Sequence, residues 1–403
     1  MKKISGRYIL VLIAMCGLIA TSVGLITNIA GLFFTPVSEE LGVLKGSVSM
    51  TLTISNLAFA LGGVIAPKLF SEKSLKKVLI AGTAIIAGCT AALGLSANLV
   101  MMYILNALRG FAGGILGFVL VTTVINNWFT ASVGLATSIA MSCSGLAGAL
   151  FSPIISTVIE SGGWRTGYFA AAVMMALLNL PAILFLPSLR PQAKGLLPYG
   201  YEEAGEAQKE ETVTQTSASK VSGVMFVIAI IYAFLACGAT ALPQHFPGIA
   251  GSYGMAASVG ALMLSICMIA NSLGKVVLGA MADKIGTKPA LLIYSALTIG
   301  ATLILWFIHT PFTMYIGACL FGLTYALGTV AVVLLTKDMF GLENYGRTYP
   351  TISLSGTIAN ALFSSLIGFM YDFSGNYTAT LLLMLAMLGI NTFIIITAYR
   401  QKT

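Results

Sequence analysis

Residues 188–220 read SLRPQAKGLLPYGYEEAGEAQKEETVTQTSASK. Arg190, Lys194, Glu202, Glu203, Glu206, Lys209, Glu210, Glu211 and Lys220 fall within this one stretch, with little that is apolar. Its surroundings are the opposite. A helix needs about 20 apolar residues to cross a bilayer. Six stretches of that kind precede the segment, at 8–34, 47–67, 77–96, 100–125, 133–158 and 166–186. Six follow it, at 221–243, 257–281, 289–308, 312–336, 348–370 and 377–399. The segment therefore reads as a solvated linker between an N-terminal half, 1–187, and a C-terminal half, 221–403. The expected fold is an all-α polytopic membrane protein of twelve transmembrane helices in two six-helix halves.

Composition excludes the soluble alternatives. Of 403 residues, 58% are hydrophobic and 8% are charged, against about 25% charged in soluble domains. Too few charges remain to clothe a water-facing surface. The 43 glycines suit helices that approach closely in a membrane. The net charge of +8 is dispersed in short connections rather than gathered for nucleic acid. Lys2, Lys3 and Arg7 precede an apolar run too long for a signal peptide, whose core is about 7–15 residues. Cysteines 16, 89, 143, 237, 267 and 319 lie inside apolar runs without ligand spacing, so no disulfide, metal or other cofactor is expected. His245 and His309 read as surface residues at span ends.

Cation placement gives the topology. With the N-terminus in the cytoplasm, Lys68, Lys73, Lys76, Lys77, Lys284, Lys288, Lys337, Arg347, Arg400, Lys402 and the linker cations are all cytoplasmic. Only Lys45 and Arg165 fall outside. Both termini are thus expected on the cytoplasmic side of the plasma membrane. The halves also repeat. Gly63-Val-Ile-Ala-Pro67-Lys68 compares with Gly279-Ala-Met-Ala-Asp283-Lys284, and Ser144-Gly145 with Ser355-Gly356. Ala-Leu-Phe-Ser occurs at 149–152 and at 361–364. A parallel repeat of this kind is characteristic of transporters.

An ionisable group at bilayer depth costs roughly 2.5–3.5 kcal/mol on insertion scales, so each needs a reason. All 13 carboxylates fall in loops or at interfacial ends. Two cations do not: Arg109 in the fourth span and Lys275 in the eighth. At 1.5 Å per residue, Arg109 lies roughly 14 Å from the outer end of its span and Lys275 roughly 9–12 Å from the inner end of its own. Two embedded cations without an embedded anion form an incomplete set, which a negatively charged substrate completes. The structural alternative bonds Arg109 to helix carbonyls and lets Lys275 snorkel to the cytoplasm. Asn271 sits one turn before Lys275 on the same face. Tyr325 can offer a hydroxyl to a carboxylate while its ring packs. Phe118 and Asn28 are further lining candidates. Gly145, Gly148 and Pro153 in the fifth span, with Gly356 in the eleventh, suit close packing and a bend. No G-x-x-x-x-G-K-[ST] motif is present for ATP, and no nucleophile–base set suggests an enzyme.

Gly279-Ala-Met-Ala-Asp283-Lys284-Ile-Gly286-Thr-Lys288 resembles the signature loop of the major facilitator superfamily, and Arg109-Gly110 resembles a second superfamily motif. Asn127-Trp128-Phe129 followed by Gly134-Leu-Ala-Thr-Ser-Ile-Ala140 is similar to the entry of helix 5 in its monocarboxylate and oxalate–formate groups. Gly162-Gly163-Trp164-Arg165, Phe340-Gly341 and Tyr371-Asp372 agree. The Asp-Gly-rich first-helix motif of the animal monocarboxylate carriers is absent. The resemblance implies a secondary transporter of small organic anions, proton-coupled or anion-exchanging, working by alternating access in the bilayer as a monomer. It places Lys275 where the group carries its substrate-pairing cation, often Arg. Span 11, with Ser353, Ser355, Thr357 and Asn360, lacks the second cation of an oxalate carrier, which favours a single carboxylate unless Arg109 is the second clamp. Drug efflux is the rival within transport, but it would be expected to use an embedded carboxylate; a non-transporting sensor is a more distant rival. At the cytoplasmic gate, Asp283 is expected to contact the start of span 11 beside Arg347, with Gly279, Gly286 and Lys288 shaping the loop.

Overall fold

A computed structural model describes residues 6–130, 133–186, 188–201 and 222–398. The linker acids, Lys2, Lys3, Lys209, Lys220, Arg400 and Lys402 lie outside these residues. Eleven described helices are long and apolar enough to cross a membrane. Spans 1 to 4 are Gly6–Leu25, Lys45–Leu69, Leu75–Leu93 and Leu99–Trp128. The next helix, Val133–Phe185, has 53 residues. Unbroken it would be about 80 Å long, more than twice the hydrocarbon thickness. It is broken at Gly163, where φ 78° and ψ 168° require a residue without a β-carbon. Spans 5 and 6 lie on either side, which makes twelve.

Spans 7 to 9 are Gly223–Ser252, Ala257–Ile285 and Thr287–Phe307. Spans 10 to 12 are Pro311–Gly341, Arg347–Ser374 and Thr378–Thr397. Gly341, at φ 75° and ψ 167°, turns the chain between spans 10 and 11 as Gly163 does between 5 and 6. Where the sequence reading leaves loops at both places, helix runs up to the glycine. The outward faces carry Leu57, Leu61, Val64, Leu177 and Leu184 exposed, as side chains solvated by lipid tails are.

The chain divides into two compact units. Unit 1 is Met1–Ala30 with Ile54–Thr214, and unit 2 is Gly31–Thr53 with Gln215–Thr403. Each is held by backbone-to-backbone helix contact at glycine. In unit 1, a β-carbon on Gly110 would lie 2.2 Å from the Ser55 carbonyl oxygen, and one on Gly62 2.1 Å from that of Phe111. Spans 2 and 4 approach this closely only because both residues lack side chains. In unit 2, Gly322 meets the Cys267 carbonyl oxygen at 2.3 Å and Gly274 that of Leu323 at 1.9 Å in the same sense, joining spans 8 and 10.

Each of these residues in unit 2 stands 212 positions after its counterpart in unit 1. The sequence repeat is therefore a repeat of close approaches. The same register corrects two pairings: Gly62 answers to Gly274, so Gly63 answers to Lys275 and not to Gly279, and Ser144-Gly145 answers to Gly356-Thr357, one residue on from Ser355-Gly356. The motif comparison is off by one helical turn within the span.

The reading of 188–220 as wholly solvated also changes. Its first part is strapped to unit 1. Glu72 accepts from the backbone N–H of Leu189 and of Arg190, both at 2.9 Å. Trp128 Nε1 donates to the Ser188 carbonyl at 3.1 Å, and Tyr8 OH to that of Leu197 at 2.8 Å. Tyr199 pairs with Phe129 as a single parallel β-bridge. Asn127 Nδ2 donates to the Leu189 carbonyl at 3.2 Å.

Candidate functional site

Among the described residues four spans are interrupted in mid-course, and every one opens a group of three: spans 1, 4, 7 and 10. Span 1 loosens into a π-helical turn at Ala20–Leu25, and helix resumes only at Gly31–Leu41. Span 4 breaks at Gly117, with φ −82° and ψ −134°. Span 7 breaks after Ala239 and resumes at Phe246–Ser252 through a 3-10 turn, Leu242–His245. Span 10 passes through the 3-10 turn Tyr325–Gly328 and breaks at Thr329, with φ −128° and ψ −78°. Gly117 and Thr329 again stand 212 positions apart.

Interrupted helices free backbone groups that lipid cannot satisfy, so side chains take them up. Within unit 2, Cys237 Sγ donates to the Gly328 carbonyl at 2.9 Å, and Tyr232 OH to that of Leu327 at 3.4 Å. Asn360 of span 11 donates to Thr240 Oγ1 at 2.8 Å, at the break of span 7. Within unit 1, Asn28 stands at the position equivalent to Thr240 and donates to the Ser144 carbonyl of span 5 at 2.9 Å. Asn28, a candidate for lining a site, thus ties the break of span 1 to its neighbour.

Lys275 lies at the depth where span 10 breaks. Gly274, the residue before it, is pressed on the Leu323 backbone, two residues before the 3-10 turn. Tyr294 OH also bonds the Gly274 carbonyl, at 2.8 Å. Lys275 is half-buried and has no hydrogen bond or ion pair among the described residues. Asn271 is buried, and its Oδ1 has no hydrogen-bond partner. Among the described residues no carboxylate is buried; Arg109 is the buried charge. Tyr325 lines a small pocket inside unit 2, together with Tyr232, Thr240, Ser295, Thr298 and Asn391.

Arg109 is placed differently from Lys275. Its guanidinium donates to Asn106 Oδ1 at 2.5 Å on its own helix, and Asn106 in turn donates to the Met102 carbonyl. Its charge is felt by Tyr168 of span 6 and Cys89 of span 3. Arg109 Nε has no partner. Phe118 is exposed and meets the Phe59 ring edge-on. In the packing set, Gly145 and Gly148 are buried and Pro153 lies inside its helix. A β-carbon on Gly356 would lie 2.5 Å from Cys237 Sγ, so this glycine packs span 11 on span 7. No group of three or more His, Cys, Asp or Glu among the described residues is arranged to hold a metal.

Of the gating candidates, Asp283 and Arg347 are exposed, and Asp283 makes no contact with a charged or polar partner among the described residues. Gly286 turns the chain at φ 87°. Lys288 donates to the Ile396 carbonyl at 3.1 Å. A β-carbon on Gly279 would meet nothing within 4 Å.

The sequence reading misses a cluster at the opposite ends of these helices, inside unit 2. Asp372, at the end of span 11, accepts from the backbone N–H of Lys45 at 3.0 Å and of Gly46 at 2.7 Å. These are the first residues of span 2, so the carboxylate caps a helix N-terminus and meets its partial positive charge. The Lys45 ammonium lies 4.1 Å above the Tyr371 ring. Thr53 bonds the Ala361 carbonyl and the Ser365 hydroxyl. His245, expected at the surface, is 3% exposed and bonds the Ser364 carbonyl at 2.9 Å. The chain folds over it because the break of span 7 turns the imidazole inward, between Phe34 and Tyr377. Tyr371-Asp372 is visible in the sequence. Its partners, more than 300 positions earlier, are not.

Residues 15–247 and 224–403 match the sequence profile described as Major Facilitator Superfamily. Among curated proteins, the chain is 25% identical over 370 residues to the multidrug resistance protein MdtG of Enterobacter lignolyticus, covering 86% of this chain and 83% of that one. It is 24% identical over 336 residues to the uncharacterized MFS-type transporter YhjX of Escherichia coli, covering 80% and 79%. It is 22% identical over 405 residues to monocarboxylate transporter 12 of Mus musculus, covering 92% and 81%. Among solved structures, the nucleoside transporter NupG superposes with a TM-score of 0.69 at 15% identity, over 98% of this chain and all of that one.

Proposed function

The chain belongs to the major facilitator superfamily, and we propose that it is a secondary transporter of small organic anions whose carboxylate is bound by Lys275. One observation carries this reading: Lys275 is a membrane-embedded cation without an ion-pair partner among the described residues, beside an interrupted helix. Such a charge is stabilised by an arriving anion, and interrupted helices supply the backbone dipoles around transporter sites. Asn271 Oδ1, one turn away, needs a donor. A carboxylate bearing a nearby hydroxyl supplies both groups. Tyr325 is the candidate for a further hydrogen bond. Arg109, already held by Asn106, is assigned a structural role.

Transport proceeds by alternating access, coupled to protons or to a counter-anion. The termini and linker face the cytoplasm, by the cation bias. Asp283 acts at that face, engaging when it closes and standing free when it opens. The Asp372 cluster acts at the other face as the matching latch, which its engaged state alongside a free Asp283 supports.

A second reading, export of hydrophobic or cationic drugs, is supported by the similarity to MdtG proteins. Against it stands the absence of a buried carboxylate among the described residues. Binding separates the two. Short monocarboxylates should stabilise the purified protein thermally, hydroxylated ones more than their deoxy analogues, and lipophilic cations should not. The reverse pattern would establish the drug reading.

A further inference from the structure

Glu72 is the only acid between Glu40 and Glu160, and its carboxylate is occupied by the backbone N–H groups of Leu189 and Arg190. That contact has a consequence for charge. It brings Arg190 and Lys194, which follow span 6, to the loop carrying Lys68, Lys73, Lys76 and Lys77. The bond from Tyr8 OH to Leu197 brings Arg7 to the same rim. All seven cations are exposed, and none has an ion-pair partner among the described residues. Lys68 sits in the last turn of span 2, and Lys76 and Lys77 sit in the first turn of span 3, so the patch lies at the level where a bilayer ends. Apolar side chains stand exposed among the cations: Leu69, Leu197 and Tyr201. A site for a free anion has no use for them. A membrane surface takes up both kinds, acyl boundary and headgroup.

We propose that this rim is a binding surface for anionic phospholipid headgroups, assembled by the Glu72 strap. Its cations come from three separate parts of the chain. Topology signals need only lie on one side of the membrane; they need not be pinned together by hydrogen bonds. Glu72 serves as the clasp: although acidic, it increases the patch's attraction for anions by holding two further cations in place.

This sign reversal gives the test. Affinity of the full purified chain for phosphatidylglycerol is measured by native mass spectrometry, with phosphatidylcholine and inorganic phosphate as comparison ligands. Each cation near an anionic surface is worth about fivefold in affinity. Glu72→Ala removes a negative charge but frees Arg190 and Lys194, so phosphatidylglycerol should bind at least fivefold more weakly. Equal or tighter binding by that variant overturns the proposal. So does equal affinity for phosphatidylcholine, or displacement of the lipid by millimolar phosphate. If Glu72→Ala fails to fold, the double variant Arg190→Gln/Lys194→Gln serves in its place. It leaves the strap's backbone bonds available and should show the same loss; wild-type affinity there overturns the proposal equally.

Discussion

Gly110 and Gly322 show what a single residue decides in this chain. Each has a backbone carbonyl where a β-carbon would stand. Gly110→Val and Gly322→Val should therefore each destabilise the protein by at least about 2 kcal/mol, since a packed backbone cannot yield as a flexible side chain does. Thermal melting of the purified variants measures this; unchanged midpoints would show the contacts to be loose. Gly279 is the contrast, because a β-carbon there meets nothing within 4 Å. Gly279→Ala should melt like the wild type. If it nevertheless slows transport, the glycine matters in a conformation other than this one. At this scale the sequence is legible where chemistry is conspicuous, as at Lys275, whose charge stands out against an apolar run. It is less legible for Arg109 and Asn28. Their side chains read as site candidates, but their bonds to Asn106 and Ser144 depend on helix rotation, which apolar periodicity leaves loose in a helix that is hydrophobic on all sides.

The element scale is that of interruptions. Spans are read from apolar length, and length does not register a break at Gly117 or Thr329, because the residues around it stay apolar. For the same reason the division at Gly31–Thr53, where the second part of span 1 and the start of span 2 pack in unit 2, is invisible in the sequence. That segment is fastened to span 11, where Asp372 accepts from the first N–H groups of span 2. A charged cap of this kind contributes about 1–2 kcal/mol. Asp372→Ala should shift the balance between fastened and released forms by roughly tenfold. A cysteine at buried Val48, labelled with a membrane-impermeant maleimide, reports it. Labelling should be slow in the Val48→Cys background and faster by about that factor once Asp372→Ala is added. Identical rates would remove Asp372 from the gate. Asp372→Asn should fall between, since the amide keeps an acceptor but loses the charge.

At the scale of the whole molecule, the twelve spans are legible because a bilayer imposes them: every span must be long and apolar, with its backbone polar groups satisfied inside the protein. The topology can be checked by the same labelling chemistry. A cysteine at position 194 should react only after the cytoplasmic face is exposed, and external labelling in sealed cells would invert the orientation. What the bilayer does not impose is cargo. Many anions satisfy one cation, and relatives named for drugs and for monocarboxylates match this chain at similar identity. The central claim therefore rests on Lys275, and its most direct test is carboxylate binding by the wild type, Lys275→Ala and Lys275→Arg. A hydrogen bond to a charged group is worth about 1.5–3 kcal/mol, or roughly 10–150-fold in affinity. Lys275→Ala should lose at least tenfold in affinity for the best monocarboxylate found, while Lys275→Arg keeps substantial binding with an altered order of preference among acids. Wild-type carboxylate affinity in Lys275→Ala would contradict the account.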